Sequence, residues 1–148
     1  MTIDELKQKN VIHFEKINQA LGTYANVTLP MDAKKAMKHF RSLREEYGAE
    51  NSFADFYYFK LDEDAQEMID EELTPAEASY VQGLAAWVED AEKDLIFPLD
   101  DTLLRIICKL NAKEILFSTL YFAESSRPRT TWWGNYNKEY ICFSDKKN

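Results

Sequence analysis

The chain has 148 residues, 45% hydrophobic and 14% aromatic, with four glycines and four prolines. That composition predicts a single domain over 1–148 with a well-filled core, and argues against disorder or low complexity. A net charge of −8 weighs against binding nucleic acid or an anionic membrane, and Cys108 and Cys142 lie in apolar surroundings, as reduced core thiols do.

The opening MTIDELKQKN is polar and mixed in charge, without the apolar run of a signal peptide. No segment approaches the roughly 20 apolar residues of a membrane span. Cytoplasm is the expected compartment.

Thr2 and Glu5 have capping-box spacing ahead of Ile3, Leu6, Phe14, Ile17 and Leu21, which predicts a helix from Ile3 to Leu21 closed by Gly22. The segment TYANVTLP reads as a loop. Asp32 or Thr28 opens a second helix with the stripe Ala36, Met37, Phe40, Leu43 and Tyr47, and Gly48 closes it. Lys34, Lys35, Lys38, Arg41 and Arg44 decorate its other faces. FADFYYFKL is aromatic enough for a strand. Yet Phe53, Phe56, Tyr57, Leu61, Ala65, Met68 and Ile69 fit one helical stripe, with Ser52 as cap and a break near Leu61. The helical reading is preferred, and it points Met68 and Ile69 to the core.

Thr74-Pro75-Ala76-Glu77 is a second capping box, with proline at the first helical position. Val81, Leu84, Ala85 and Val88 form its buried stripe, ending near Ala91. Asp100 or Asp101 caps a short helix through TLLRIICKL. The period then changes: ILFSTLYF, TTWWGNY and EYICFS read as a three-stranded antiparallel meander. The expected fold is α+β, with residues 1–111 mainly helical and packed on one face of a β-meander formed by 112–148.

Charge is segregated along the chain. Residues 62–101 hold 14 acids and one base, Lys93, a net of −13, against +1 before them and +4 after. The densest part is LDEDAQEMIDEEL, with Asp62, Glu63, Asp64, Glu67, Asp70, Glu71 and Glu72 and no base. An ordinary solvated helix intersperses lysine with glutamate, whereas these acids repel one another and favour a basic partner, whose association they would accelerate.

Catalytic and metal motifs find little footing. The acidic stretch lacks the glycine and glutamate that an EF-hand loop requires. Cys108, Cys142, His13 and His39 show no close zinc-type pairing. There is no Gly-x-Ser-x-Gly, and the glycines Gly22, Gly48, Gly83 and Gly134 are too scattered for a phosphate loop. No catalytic residue, metal or cofactor is therefore assigned, although paired acids for hydrolysis remain compatible with so acidic a chain.

A second patch lies in SSRPRTTWWGNY. Arg127 and Arg129 flank a proline in a turn, and adjacent Trp132 and Trp133 on a strand must point to opposite faces. One tryptophan enters the core. The other, with Tyr136 and the arginines, has the residue types of an interface anchor.

In size, charge layout and its carboxyl-terminal segment ILFSTLYFAESSRPRTTWWGNYNKEY, the chain resembles the immunity proteins of contact-dependent growth inhibition and related polymorphic toxin systems. The resemblance implies binding to a cognate toxin domain, often a basic nuclease. Asp62, Glu63, Asp64, Glu67, Asp70, Glu71 and Glu72 would contact its lysines or mimic a phosphate backbone, with Arg127, Arg129, Trp133 and Tyr136 as further contacts. A regulatory adaptor that binds a basic segment of a cellular protein, and a carboxylate-dependent hydrolase, are the other readings.

Overall fold

A computed structural model describes residues 1–146. It is α+β, built on a six-stranded sheet, fully antiparallel, in the order β1-β6-β5-β4-β2-β3. The strands are β1 (Ala25–Pro30), β2 (Ser52–Asp55), β3 (Ile96–Pro98), β4 (Thr119–Phe122), β5 (Thr130–Asn135) and β6 (Glu139–Ser144). The expected carboxyl-terminal strands are present as β4, β5 and β6. They form the middle of a larger sheet, because the supposedly helical first 111 residues supply β1 on one side and β2 and β3 on the other.

Among the described residues six α-helices accompany the sheet: α1 (Ile3–Lys7), α2 (Ile17–Thr23), α3 (Ala33–Tyr47), α4 (Glu63–Asp70), α5 (Pro75–Leu84) and α6 (Asp101–Ala112). They cover both faces, not one. Phe40 of α3, Ile69 of α4, Val81 of α5 and Leu103 and Ile107 of α6 pack in one cluster with Ala54, Leu120, Phe122, Trp132 and Tyr140. The opposite face is covered by the amino-terminal segment. Leu6 and Val11 lie on Phe53, Ile96 and Tyr121, and Ile12 and Ala20 lie on Ile141 and Phe143. Alternating side chains on β4, β5 and β6 therefore feed two cores, as the period-two geometry of a strand requires.

Local cap chemistry sets the helix starts. Thr2 accepts the Glu5 amide at 3.2 Å and Glu5 returns to the Thr2 amide at 3.1 Å. Asp32 accepts from the Lys35 amide at 2.8 Å, and Asp100 from the Leu103 amide at 2.8 Å, so these two residues resolve the paired alternatives for the caps of α3 and α6. Gly48 ends α3 at φ 95°, a left-handed conformation that favours glycine.

Several expectations are overturned. The single helix Ile3–Leu21 is two short ones, because Asn10 turns the chain with φ 62° and Val11 and Ile12 run into the core between them. Leu21, assigned to the buried stripe, is 41% exposed. The loop TYANVTLP contains β1, an edge strand. The helix over 53–61 is instead β2, a strand inside the sheet with both faces buried, followed by a 3-10 turn at Tyr58–Lys60. A strand buried on both sides has no alternation to read, so its apolar residues also satisfy helical offsets. α4 starts only at Glu63 and turns Ile69 inward, while Met68 stands 59% exposed. Helix α5 also ends earlier than expected, with Ala85 exposed in the 3-10 turn that leads to Trp87.

Candidate functional site

Asp62 caps α4, its carboxylate accepting the Ala65 amide at 2.9 Å. Glu63 and Asp64 follow in the first turn, where negative charge complements the helix dipole. That accounts for the first three acids. The remainder sit at the wrong end. Glu67, Asp70 and Glu71 occupy the last turn and its cap, where the dipole favours cations and no base is present. Glu67 and Glu71 are also a like-charged i,i+4 pair. The Tyr58 hydroxyl donates to Asp70 at 2.8 Å, and Glu72, half-buried, pairs with Lys113. Among the described residues Glu63, Asp64, Glu67 and Glu71 have no side-chain hydrogen bond or ion pair. By helical spacing Asp64 (four positions before) and Glu71 (three after) share the exposed face of Met68.

The rest of the acidic interval is better compensated than its sequence suggests. Bases from outside it reach in: Lys60 to Glu92 at 3.8 Å, Arg41 to Asp101 at 3.2 Å, and Lys109 to Glu77. Asp94 accepts the amides of Glu89 and Asp90, each at 3.0 Å, and Asp100 both caps α6 and accepts the Tyr80 hydroxyl at 2.8 Å. Glu77 is buried, and burial pushes its carboxyl up. The Lys109 ammonium and the Thr74 backbone and hydroxyl outweigh that and hold it below the ordinary carboxylate range. Uncompensated charge is thus concentrated on α4. Trp87, 77% exposed just before Glu89 and Asp90, is an apolar surface residue that the sequence reading passed over.

The second predicted patch is divided. Arg127 donates to Glu46 at 2.9 Å, and Arg129 forms a two-pronged pair with Asp145, both bonds at 2.8 Å. Both arginines are neutralised within the chain. Trp132 is the core tryptophan. Trp133 is half-buried on the opposite face of the sheet, and Tyr136 is 60% exposed with its ring against Phe117 at 4.8 Å. Since α4 packs on the Trp132 face, the acidic helix and the Trp133 patch lie on opposite sides of the sheet and do not make one surface.

Trp133 instead helps to line a cleft on the amino-terminal side. One lobe, about 330 Å³, is bounded by Asp55, Tyr57, Phe117, Thr119, Trp133 and Tyr136. A second, about 270 Å³, shares Asp55, Tyr57, Thr119 and Trp133 and adds His13, Glu15 and Tyr121. Asp55, at the end of β2, is 4% exposed and accepts the Thr119 amide at 2.8 Å. Burial drives its carboxyl up to about 7, opposed by the Thr119 amide and the Thr119 and Tyr57 hydroxyls. The Tyr57 and Tyr121 phenols are likewise raised by burial and by the neighbouring Asp55. Burial and the Lys7 ammonium lower His13. The sequence reading did not single out Asp55, and it placed Tyr57 only in the apolar stripe of a helix. The available signal was a lone carboxylate inside the aromatic run FADFYYF, which the helical assignment sent to a helix surface.

Among the described residues no group of three or more His, Cys, Asp or Glu side chains is placed to hold a metal ion, and no helix is long and apolar enough to cross a membrane. Cys108 and Cys142 are free thiols. No family model, characterised protein or solved structure matches the chain.

Proposed function

We propose that this chain is an immunity protein that neutralises a cognate toxin domain with a basic surface, and that it docks through the exposed side of α4. One observation carries the reading. Glu67 and Glu71 bear uncompensated charge at the helix end where the dipole opposes it, beside a methionine that is 59% exposed. Each of these features costs stability or solubility in the free protein. A basic partner offsets both, by supplying the counter-charge and covering Met68, a residue type enriched in interface cores. The early acids Glu63 and Asp64 extend the same negative surface. Arg127 and Arg129, already paired, take no part.

The test is capture of partners from the host's own extract by the tagged full chain at low and high salt, beside the Glu63→Lys, Glu67→Lys, Glu71→Lys variant. This variant leaves Asp62 as the cap and Asp70 on Tyr58. Capture of one basic toxin domain, lost at high salt and in the variant, supports the proposal. The same proteins captured by both versions, or none by either, refutes it.

A further inference from the structure

The cleft around Asp55 lies on the face opposite α4 and plays no part in docking there. Its floor is a carboxylate that has been taken out of water with no cation beside it. Neither lobe is lined by a lysine or arginine, and Asp55 appears in no ion pair among the described residues. Its compensation comes from one backbone amide and two neutral hydroxyls. Burying a carboxylate on such terms is costly, so an isolated Asp in this position is a device in search of a positive charge. The surroundings add to the demand. Tyr57, Trp133 and Tyr136 present aromatic rings around the opening, and an aromatic surface attracts a cation through its quadrupole. Glu15, from the amino-terminal segment, places a second carboxylate on the adjoining lobe.

We infer that this cleft binds a small organic cation of the alkylammonium class, with Asp55 as its counter-ion and Tyr57, Trp133 and Tyr136 as its aromatic walls. A lobe of about 330 Å³ stands at the lower end of ligand pockets, which run from about 300 to 1,000 Å³, and suits a small headgroup. Ammonium is favoured over guanidinium by the hydrogen-bond count. A guanidinium fork needs both carboxylate oxygens facing it, whereas Asp55 Oδ1 already holds the Thr119 amide and the Tyr57 hydroxyl draws on the same group. An alkylammonium needs charge and aromatic faces but no planar fork.

Occupancy depends on pH because Asp55 must be ionised. The titratable groups that face it are Tyr57 beyond its own strand, Tyr121 on β4, Tyr136 beyond β5, and His13 and Glu15 from the amino-terminal segment; Lys7 acts on His13. Tyr57 and Tyr121 stay neutral well above neutrality, a tyrosine carries no positive charge in any state, and His13 is biased to its neutral form, so none of them supplies the missing cation. Affinity rises with pH as the Asp55 carboxyl ionises near 7.

The experiment is an amide NMR titration of the full chain with tetramethylammonium, at about pH 8 and about pH 5.5, with tert-butanol as the neutral probe of similar shape and methylguanidinium as the competing cation. The expected result is saturable shifts at Thr119, Gly134 and Asn135 with tetramethylammonium at the higher pH. Asp55→Asn weakens them about tenfold or more, and Tyr136→Ala, at a 60% exposed position outside the buried cores, weakens them about two- to fivefold. Shifts that do not saturate, equal shifts with tert-butanol, tighter binding of methylguanidinium, or full affinity in folded Asp55→Asn would each overturn the assignment.

Discussion

Asp55→Asn exchanges a buried carboxyl for an amide of the same shape. The Oδ1 that accepts the Thr119 amide at 2.8 Å is retained, and the Thr119 and Tyr57 hydroxyls, which act on the carboxyl from nearby, can accept as well as donate. What disappears is the proton equilibrium. In the unfolded chain Asp55 ionises around 3.8, and in the fold only at about 7. Between those values the native state holds the extra proton, so wild-type stability falls as pH rises through the window and the full penalty is present above it. At 1.36 kcal/mol per pH unit the window amounts to roughly 4 kcal/mol at most. The variant lacks this slope. Chemical denaturation at about pH 4 and about pH 8 should give similar stabilities at the lower pH and a variant more stable by about 2–4 kcal/mol at the higher. A difference that does not change with pH would refute the reasoning. So would a variant less stable at the higher pH, since that would show the Thr119 and Tyr57 contacts favouring the charged form over burial.

Trp132→Ala should cost about 3–5 kcal/mol in a denaturant melt, because Trp132 packs edge-on to His39 at 4.7 Å and Phe40 at 5.4 Å in the main core; a loss no larger than that of half-buried Trp133→Ala would invert the facing of β5. Gly134→Ala should cost about 1–3 kcal/mol, since a Cβ there meets the Asn111 side chain and lies 2.9 Å from the Ser118 carbonyl; unchanged stability would mean α6 does not approach β5 so closely. Glu77→Ala removes the third-position partner of the Thr74 cap and strands Lys109, itself only 25% exposed, for a loss of roughly 2–4 kcal/mol by thermal melt. Because Glu77 sits below the ordinary carboxylate range, its share of stability is present above about pH 4.5 and fades as pH falls through the folded value; an equal loss at acid pH would exclude the ion pair as its source.

The starts of α1, α3, α5 and α6 were legible because a cap is a short-range contract. Thr2 with Glu5, Asp32, Thr74 with Glu77, and Asp100 each need only a residue two or three positions on. Strands β4, β5 and β6 were legible because they are aromatic, β-branched and separated by turn residues. The other three strands had no such local mark. β1 is a mostly exposed edge whose identity depends on pairing with β6, more than a hundred residues away, as in Val27 opposite Cys142. β3 is three residues long, and β2 is defined by neighbours on both sides. For the candidate site, the charge of α4 was visible in the sequence, but the Tyr58 hydroxyl on Asp70 and the pairing of Glu72, just beyond the helix, with Lys113 were not, since those contacts depend on tertiary placement. Asp55 was missed for the same reason: its burial follows from β2 being a strand.

Docking through α4 depends most on Glu67 and Glu71. The decisive measurement is the association rate of the captured basic domain with wild type and with Glu67→Lys, Glu71→Lys, across a range of ionic strength, with thermal melts of both chains alongside. The variant should melt at or slightly above the wild-type temperature, because it removes a like-charged pair and places cations at the carboxyl end of α4. Its association should be slower by about tenfold or more at low salt and nearly flat with ionic strength, while wild type slows steeply as salt rises. Equal rates and equal salt dependence in two equally stable chains would contradict docking through α4.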